Sequence, residues 1–144
     1  MLLSKKKIEV RYAETDQMGI VYHANYLVWM ELGRTQLVED LGFKYADMEA
    51  QGVLSPVIDI EISYKKPVLY GEIATVKTWI EYYDGIRITY GYEIYKENGE
   101  LSVTSFSKHA CVKKESFRPI SIRKVFPDWH DAYEKAKKAE QGVK

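Results

Sequence analysis

Between Tyr12 and Tyr26 the chain reads Tyr-Ala-Glu-Thr-Asp-Gln-Met-Gly-Ile-Val-Tyr-His-Ala-Asn-Tyr. An acid (Asp16), a glycine (Gly19) and a histidine (His23) stand close together in it, with Tyr22, Asn25 and Tyr26 beside the histidine. A carboxylate can attack an acyl carbonyl or take the proton of an attacking water. If a helix begins at the histidine, its first N–H groups lack intrahelical acceptors and sit at the positive end of the helix dipole. Such groups polarise a carbonyl and stabilise the oxyanion that forms under attack. Asp16 and the backbone N–H of His23 are therefore a pair suited to acyl transfer. The same residues also serve without chemistry, Asp16 as the cap of a turn and His23 as an ordinary residue near a helix N-cap, and the stretch alone leaves both roles open.

That chemistry requires a helix in the right place. From Ala24 to Leu41 no proline intervenes and strand-like alternation is absent, while Leu27, Met30, Leu37 and Leu41 fall near one helical face with Val28 and Val38 close by. Its first half is apolar almost all round, which predicts a buried helix, and Gly42 stands where a C′ glycine would stop it. Upstream, Ile8, Val10 and Tyr12 alternate with Glu9, Arg11 and Ala13 as a first strand, and 14–22 reads as a loop. Downstream, Ile58, Ile60, Ile62 and Tyr64 alternate with Asp59, Glu61 and Ser63, and Pro67 ends that strand or marks an edge. Strands over 72–83, 86–97 and 100–113 follow, joined at Asp84-Gly85 and Asn98-Gly99, dipeptides favoured in type I′ hairpins, so these three strands are expected to form a meander. Phe126, Trp129, Tyr133 and Ala136 predict an amphipathic helix over 122–138 with Pro127 in its first turn. The sum is an α+β chain: a strand, a buried helix, four strands in a meander, and a short helix. An antiparallel sheet curled around the apolar helix satisfies both burial patterns.

Composition excludes other classes. The 144 residues are expected to form a single domain, 1–144, without repeat or linker. A 46% hydrophobic and 29% charged chain is too apolar for disorder. Lys plus Arg and Asp plus Glu are each 21, so no basic excess suggests nucleic acid. The single Cys111 cannot close an intramolecular disulfide. The N-terminus has the wrong order for a signal peptide, and no run approaches the roughly 18 apolar residues of a membrane span. A soluble, cytoplasmic protein is expected. Twelve tyrosines suit half-buried strand faces and interfaces.

Thr15, Asp16, Gly19, Val21, Tyr22, His23, Asn25 and Tyr26, continuing into Trp29, Glu31 and Arg34, resemble the signature of the hotdog-fold acyl-CoA thioesterases of the 4-hydroxybenzoyl-CoA thioesterase family. The order of elements matches over about residues 5–125, and the branch that includes the bacterial Tol-Pal-associated thioesterase is the more similar one. The resemblance implies a hotdog fold, a long helix wrapped by a curved antiparallel sheet. It implies dimers joined edge to edge that often pair into tetramers, with sites at subunit interfaces. It makes Asp16 the catalytic carboxylate, as nucleophile or general base, and the His23 N–H the carbonyl-polarising donor. Gly19, Tyr22, Asn25 and Tyr26 become substrate-binding residues. The family prototype has an aromatic residue in the place of His23, which argues against a hydroxybenzoyl substrate. The implied activity is hydrolysis of acyl-CoA to acid and coenzyme A without metal or redox cofactor. A thioesterase acting on acyl-carrier protein, or a non-catalytic binder of acyl-CoA or acyl-carrier protein, would share the same fold.

Lys65, Lys66 and Arg87 are candidates for the coenzyme A phosphates, although isolated cations on a neutral chain are commonly solvated surface. The family prototype's basic patch is not reproduced at Tyr83-Asp84-Gly85. Glu31 lies about 12 Å along the helix from His23, which suits a structural or interface contact. His109-x-Cys111 has no second pair at ligand spacing, so no metal is expected. No Gly-x-Ser-x-Gly elbow, Gly-x-Gly-x-x-Gly or P-loop run occurs.

Overall fold

The structure, a computed structural model, describes residues 1–139. In chain order it forms β1 (Ser4–Glu9), a 3-10 turn (Tyr12–Glu14), α1 (Asn25–Asp40), α2 (Tyr45–Ala50), β2 (Val53–Leu54) and β3 (Val57–Tyr64). There follow β4 (Ile73–Tyr83), β5 (Arg87–Tyr95), β6 (Leu101–Ala110), β7 (Val112–Lys113), α3 (Ile122–Val125) and α4 (Pro127–Ala136). Five antiparallel strands make one sheet in the order β1-β4-β5-β6-β3, and β2 pairs with β7 beside it. Helix α1 lies across β1, β4 and β5. Its Trp29, Met30, Leu37 and Val38 are buried in one core with Val76, Ile80, Ile88, Tyr90 and Ile94 from the strands. A long helix cradled by a curved antiparallel sheet is the hotdog fold. Among the described residues no helix is long and apolar enough to cross a membrane.

Local chemistry fixes where α1 ends and where it sits. The Gly42 N–H bonds the Glu39 carbonyl and the Phe43 N–H bonds the Val38 carbonyl, with Gly42 at φ +93°. This is the Schellman closure, which favours glycine because only glycine takes that backbone without cost. Mid-helix, Gly33 faces β4 so closely that a Cβ there would lie 2.5 Å from Thr78 Oγ1 and 2.9 Å from Val76 Cγ1. The missing side chain lets the helix backbone approach the sheet.

Several expectations are corrected. β1 begins at Ser4 and ends at Glu9, so Tyr12 lies in the 3-10 turn and is exposed rather than inward on a strand. Only β4, β5 and β6 form the meander; β3 crosses to the far edge and pairs with β6. Neither Asp84 nor Asn98 takes the positive φ that a type I′ turn needs at its first central position. Instead the Asp84 carboxylate accepts the N–H groups of Ile86 (2.9 Å) and Arg87 (2.7 Å), making Asp84 the opening residue of its turn. The second hairpin closes a three-residue loop from Lys96 to Glu100, with Gly99 at φ +88°. The helix expected over 122–138 is two helices, because Phe126 precedes Pro127 and is held out of the helical region at φ −132°, ψ 71°. Finally, α1 is not buried all round. Leu27, Val28 and Leu32 are each about two-fifths exposed or more, because the sheet covers only one side of the helix.

Replacing Gly33 by alanine adds up to about 1 kcal/mol of helix propensity but forces a buried clash costing about 1–3 kcal/mol. Gly33→Ala should therefore lower the urea unfolding midpoint, and an unchanged or raised midpoint would contradict this seating of the helix.

Candidate active site

The loop from β1 to α1 is built by three sets of bonds. Thr15 bridges to Val21, and between them the Asp16 N–H donates to the Ile20 carbonyl (2.9 Å) and the Gly19 N–H to the Asp16 carbonyl (3.0 Å). Gly19, at φ +79°, occupies the left-handed position of this three-residue loop. Asp16 Oδ1 accepts the Met18 N–H at 2.8 Å, while Oδ2 has no partner among the described residues. Asp16 thus caps a turn and still presents a carboxylate oxygen. The second set ties the loop to the segment after β3: Ile20 bridges to Leu69 and the Val21 N–H donates to the Val68 carbonyl (2.9 Å).

The third set converges on Glu14, which is 6% exposed. Its carbonyl accepts the Tyr22 N–H and Asn25 Nδ2, both at 2.8 Å. Its carboxylate accepts the Arg11 N–H (2.8 Å), Trp29 Nε1 (2.9 Å) and Arg11 Nη2 (3.3 Å). Burial works to raise this carboxyl, but the donors prevail and hold it below the ordinary carboxylate range.

Helix α1 starts just past His23. Among the described residues no protein acceptor meets the backbone N–H of His23 or Ala24. These N–H groups stand at the start of a sixteen-residue helix, where its dipole adds positive potential. Asp16 and His23 line one pocket of about 300 Å³, whose apolar walls include Ile20, Val21, Tyr26 and Pro67. A pocket lined by a carboxylate and by the residue at a helix start whose N–H is uncommitted is suited to holding a carbonyl for attack.

The expected residues fall in different places around this pocket. Tyr26 forms its wall, buried, with its hydroxyl accepting the Val68 N–H at 3.2 Å. Tyr22 is half-exposed with its ring centroid 4.5 Å from that of His23. Gly19 and Asn25 shape the loop: one supplies the turn, and the other spends its amide on Glu14. Lys65 and Lys66 line the pocket, both exposed; Lys66 is bound to Glu100 at 2.5 Å, and Lys65 has no ion-pair partner among the described residues. Arg87 is not brought there, since it opens β5 beside Asp84. Glu31 is exposed on α1 and does not line the pocket.

The sequence reading missed two residues. Tyr64, taken for one of the alternating strand positions, ends β3 at the pocket, where its hydroxyl donates to the His23 carbonyl at 3.2 Å. Its ring also lies edge-on to His23 and tilted to Tyr26. Glu14 passed as one more loop acid; a charged residue beside an apolar helix start is the only hint the sequence offers that it needs buried donors.

His109 and Cys111 are both buried. His109 Nε2 pairs with Ser107 Oγ at 2.8 Å and Nδ1 with the Ser55 carbonyl at 3.3 Å. Burial pushes the Cys111 thiol up to about 11, which keeps it unreactive. Burial, with Arg34 adding to it, pushes His109 down to about 4. The unfolded chain, with histidine at about 6.5, binds a proton that the fold refuses, so stability is full above pH 6.5 and falls as the pH drops towards 4. Between pH 7 and pH 5 wild type should lose about 2 kcal/mol more than His109→Gln in urea titrations. Equal losses would show that His109 is not held neutral.

A family model described as the thioesterase-like superfamily matches residues 10–130. A Bacillus subtilis protein named "Putative acyl-CoA thioesterase YneP" is 71% identical over 138 residues, 96% of this chain and 100% of that protein. The 1,4-dihydroxy-2-naphthoyl-CoA hydrolase of Thermosynechococcus vestitus is 26% identical over 121 residues, covering 83% of both chains. Among solved structures, the DHNA-CoA thioesterase of Staphylococcus aureus superposes with a TM-score of 0.91 at 50% identity, covering 94% of this chain and 91% of that one.

Proposed function

The chain belongs to the thioesterase-like superfamily, and from that membership we propose that it is a thioester hydrolase acting on acyl-CoA. The observation that carries the reading is that Asp16 and His23 line one pocket at the start of α1, where the His23 N–H has no protein acceptor among the described residues. The thioester carbonyl would lie against the His23 N–H, with Asp16 on its reactive face. Either Asp16 attacks the carbonyl carbon, or it takes a proton from water as the water oxygen attacks. Both routes build an oxyanion that the N–H stabilises, and both end with the carbon–sulfur bond broken and the thiolate of coenzyme A protonated. In the first route a mixed anhydride forms and water then cleaves it. Aspartates as a class are weak bases, which leaves direct attack credible.

We infer an aromatic acyl group. Tyr26, Tyr64 and His23 put rings around the pocket, and the S. aureus and T. vestitus relatives take their names from an aromatic acyl-CoA. The finer expectation of the Tol-Pal-associated branch rests on Tyr22-His23-x-Asn25-Tyr26. Lys65, exposed at the pocket and without an ion-pair partner among the described residues, is our candidate for a coenzyme A phosphate.

A second copy of this chain completes the reading, as a dimer or a pair of dimers. β3 offers an open sheet edge with Ile58 more than half exposed, whereas the other edge strand, β1, carries Lys5, Lys6 and Lys7. Lysines on an edge strand discourage pairing, so the β3 edge is the one left to join. The exposed Leu27, Val28 and Leu32 of α1 give a partner further apolar surface.

Two measurements test this. Free coenzyme A released from aromatic and from short, medium and long aliphatic acyl-CoAs should be highest for the aromatic ones. Asp16→Ala should cost on the order of 10²-fold or more; turnover indifferent to Asp16 would reject the site. Light scattering after size exclusion should give a multiple of 16.8 kDa, and a monomer would reject the paired β3 edge.

A further inference from the structure

Carboxylates are almost never this buried unless every oxygen is satisfied, and Glu14 is satisfied without touching the pocket. One oxygen takes the Arg11 N–H; the other takes the indole N–H of Trp29, one turn into α1. The Arg11 side chain is 73% exposed, so its ion pair adds little. The buried, charge-assisted bond from Trp29 is the stronger tie. The Glu14 carbonyl meanwhile holds Tyr22 and Asn25, the residues on either side of the His23-Ala24 turn. Asp16 follows two residues later. A single residue therefore joins the turn that presents the carboxylate to the helix start that presents the N–H.

We propose that Glu14 is a positioning residue for the hydrolysis, setting the separation between the Asp16 carboxylate and the His23 N–H through its bonds to Trp29, Tyr22 and Asn25. The inference rests on the thioesterase reading of the pocket. Glutamine has the same shape but only one acceptor oxygen, so in either rotamer an amide N–H faces the donor of Arg11 or of Trp29. The loop must then shift against the helix. A misplacement of about 1 Å at a reacting pair can cost 10²-fold. The pocket that receives the substrate is lined by other residues, so binding is spared.

The test measures kcat and KM for coenzyme A release in wild type, Glu14→Gln, Trp29→Phe, Asp16→Ala and a stability control, Ile88→Val. Ile88 pairs with Tyr83 and His109, well along β5 from Ile94, which pairs with Val103 opposite Tyr64. Glu14→Gln should lower kcat about 10- to 100-fold with KM kept within about twofold. Trp29→Phe, which removes the indole donor and leaves a smaller aromatic ring in the core, should lower the urea midpoint as well as kcat, the latter several-fold with KM kept, and it carries the test if Glu14→Gln fails to fold. Ile88→Val should lower the urea midpoint and leave kcat alone. Wild-type kcat in the folded variants beside an inactive Asp16→Ala overturns the inference alone, as does a rise in KM with kcat retained. Absence of turnover in wild type, or turnover unaffected by Asp16→Ala, overturns the thioesterase reading and this inference with it.

Discussion

Helix α1 lies on β4 with no side chain at Gly33 to hold it off, and the two groups it would strike, Thr78 and Val76, are themselves fully buried. That close approach sets the height and direction of the helix over the sheet. Its other buried residues, Trp29, Met30 and Leu37, then fall into one core with the strands. A helix seated in this way has a fixed N-terminus, and its first N–H groups are held in place by packing many residues away. Preorganisation of this kind distinguishes a donor that stabilises charge from one that must first be arranged.

The loop before the helix carries Asp16 to the pocket that His23 also lines. The turn at Asp16–Ile20 and the hairpin turn at Lys96–Glu100 share one construction. In each, the first residue's N–H bonds the carbonyl of the fifth, and a glycine in fourth place donates back to the first. At Lys96 the arrangement only reverses the chain. At Asp16 it also leaves one carboxylate oxygen uncommitted at the pocket. The same Asp-x-x-Gly spacing thus shapes the backbone and leaves at the pocket the carboxylate that the proposed hydrolysis calls on. Glu14 binds this turn to the helix, a cross-link between neighbours in sequence that the buried environment makes strong.

Surface left over by this design has a common character. The sheet covers one side of α1 and leaves Leu27, Val28 and Leu32 outward, while β3 keeps an unpaired edge. Tyr64 ends that same strand and reaches the His23 carbonyl. Whatever pairs with β3 therefore acts on a strand that also carries a wall of the pocket.

Much of this was legible in the residues. The bounds of α1 followed from the absence of proline and from Gly42, the three-strand meander of β4, β5 and β6 from Asp84-Gly85 and Asn98-Gly99 between the strands, and the meeting of Asp16, His23 and Tyr26 at one pocket from their nearness in sequence. All of these are local, spanning a helical turn, a hairpin or a loop. Other features were decided only when the chain closed on itself. Which side of α1 is wet depended on which strands it met, and apolar residues all round the helix concealed that. Tyr64 reached His23 across forty-one positions because β3 paired with β6 rather than with its neighbour in sequence. The buried bonds of Glu14 looked like an ordinary loop acid until Trp29 was in place. Periodicity reports how a side chain faces relative to its own element; contacts between elements depend on strand order and packing, which no local pattern encodes.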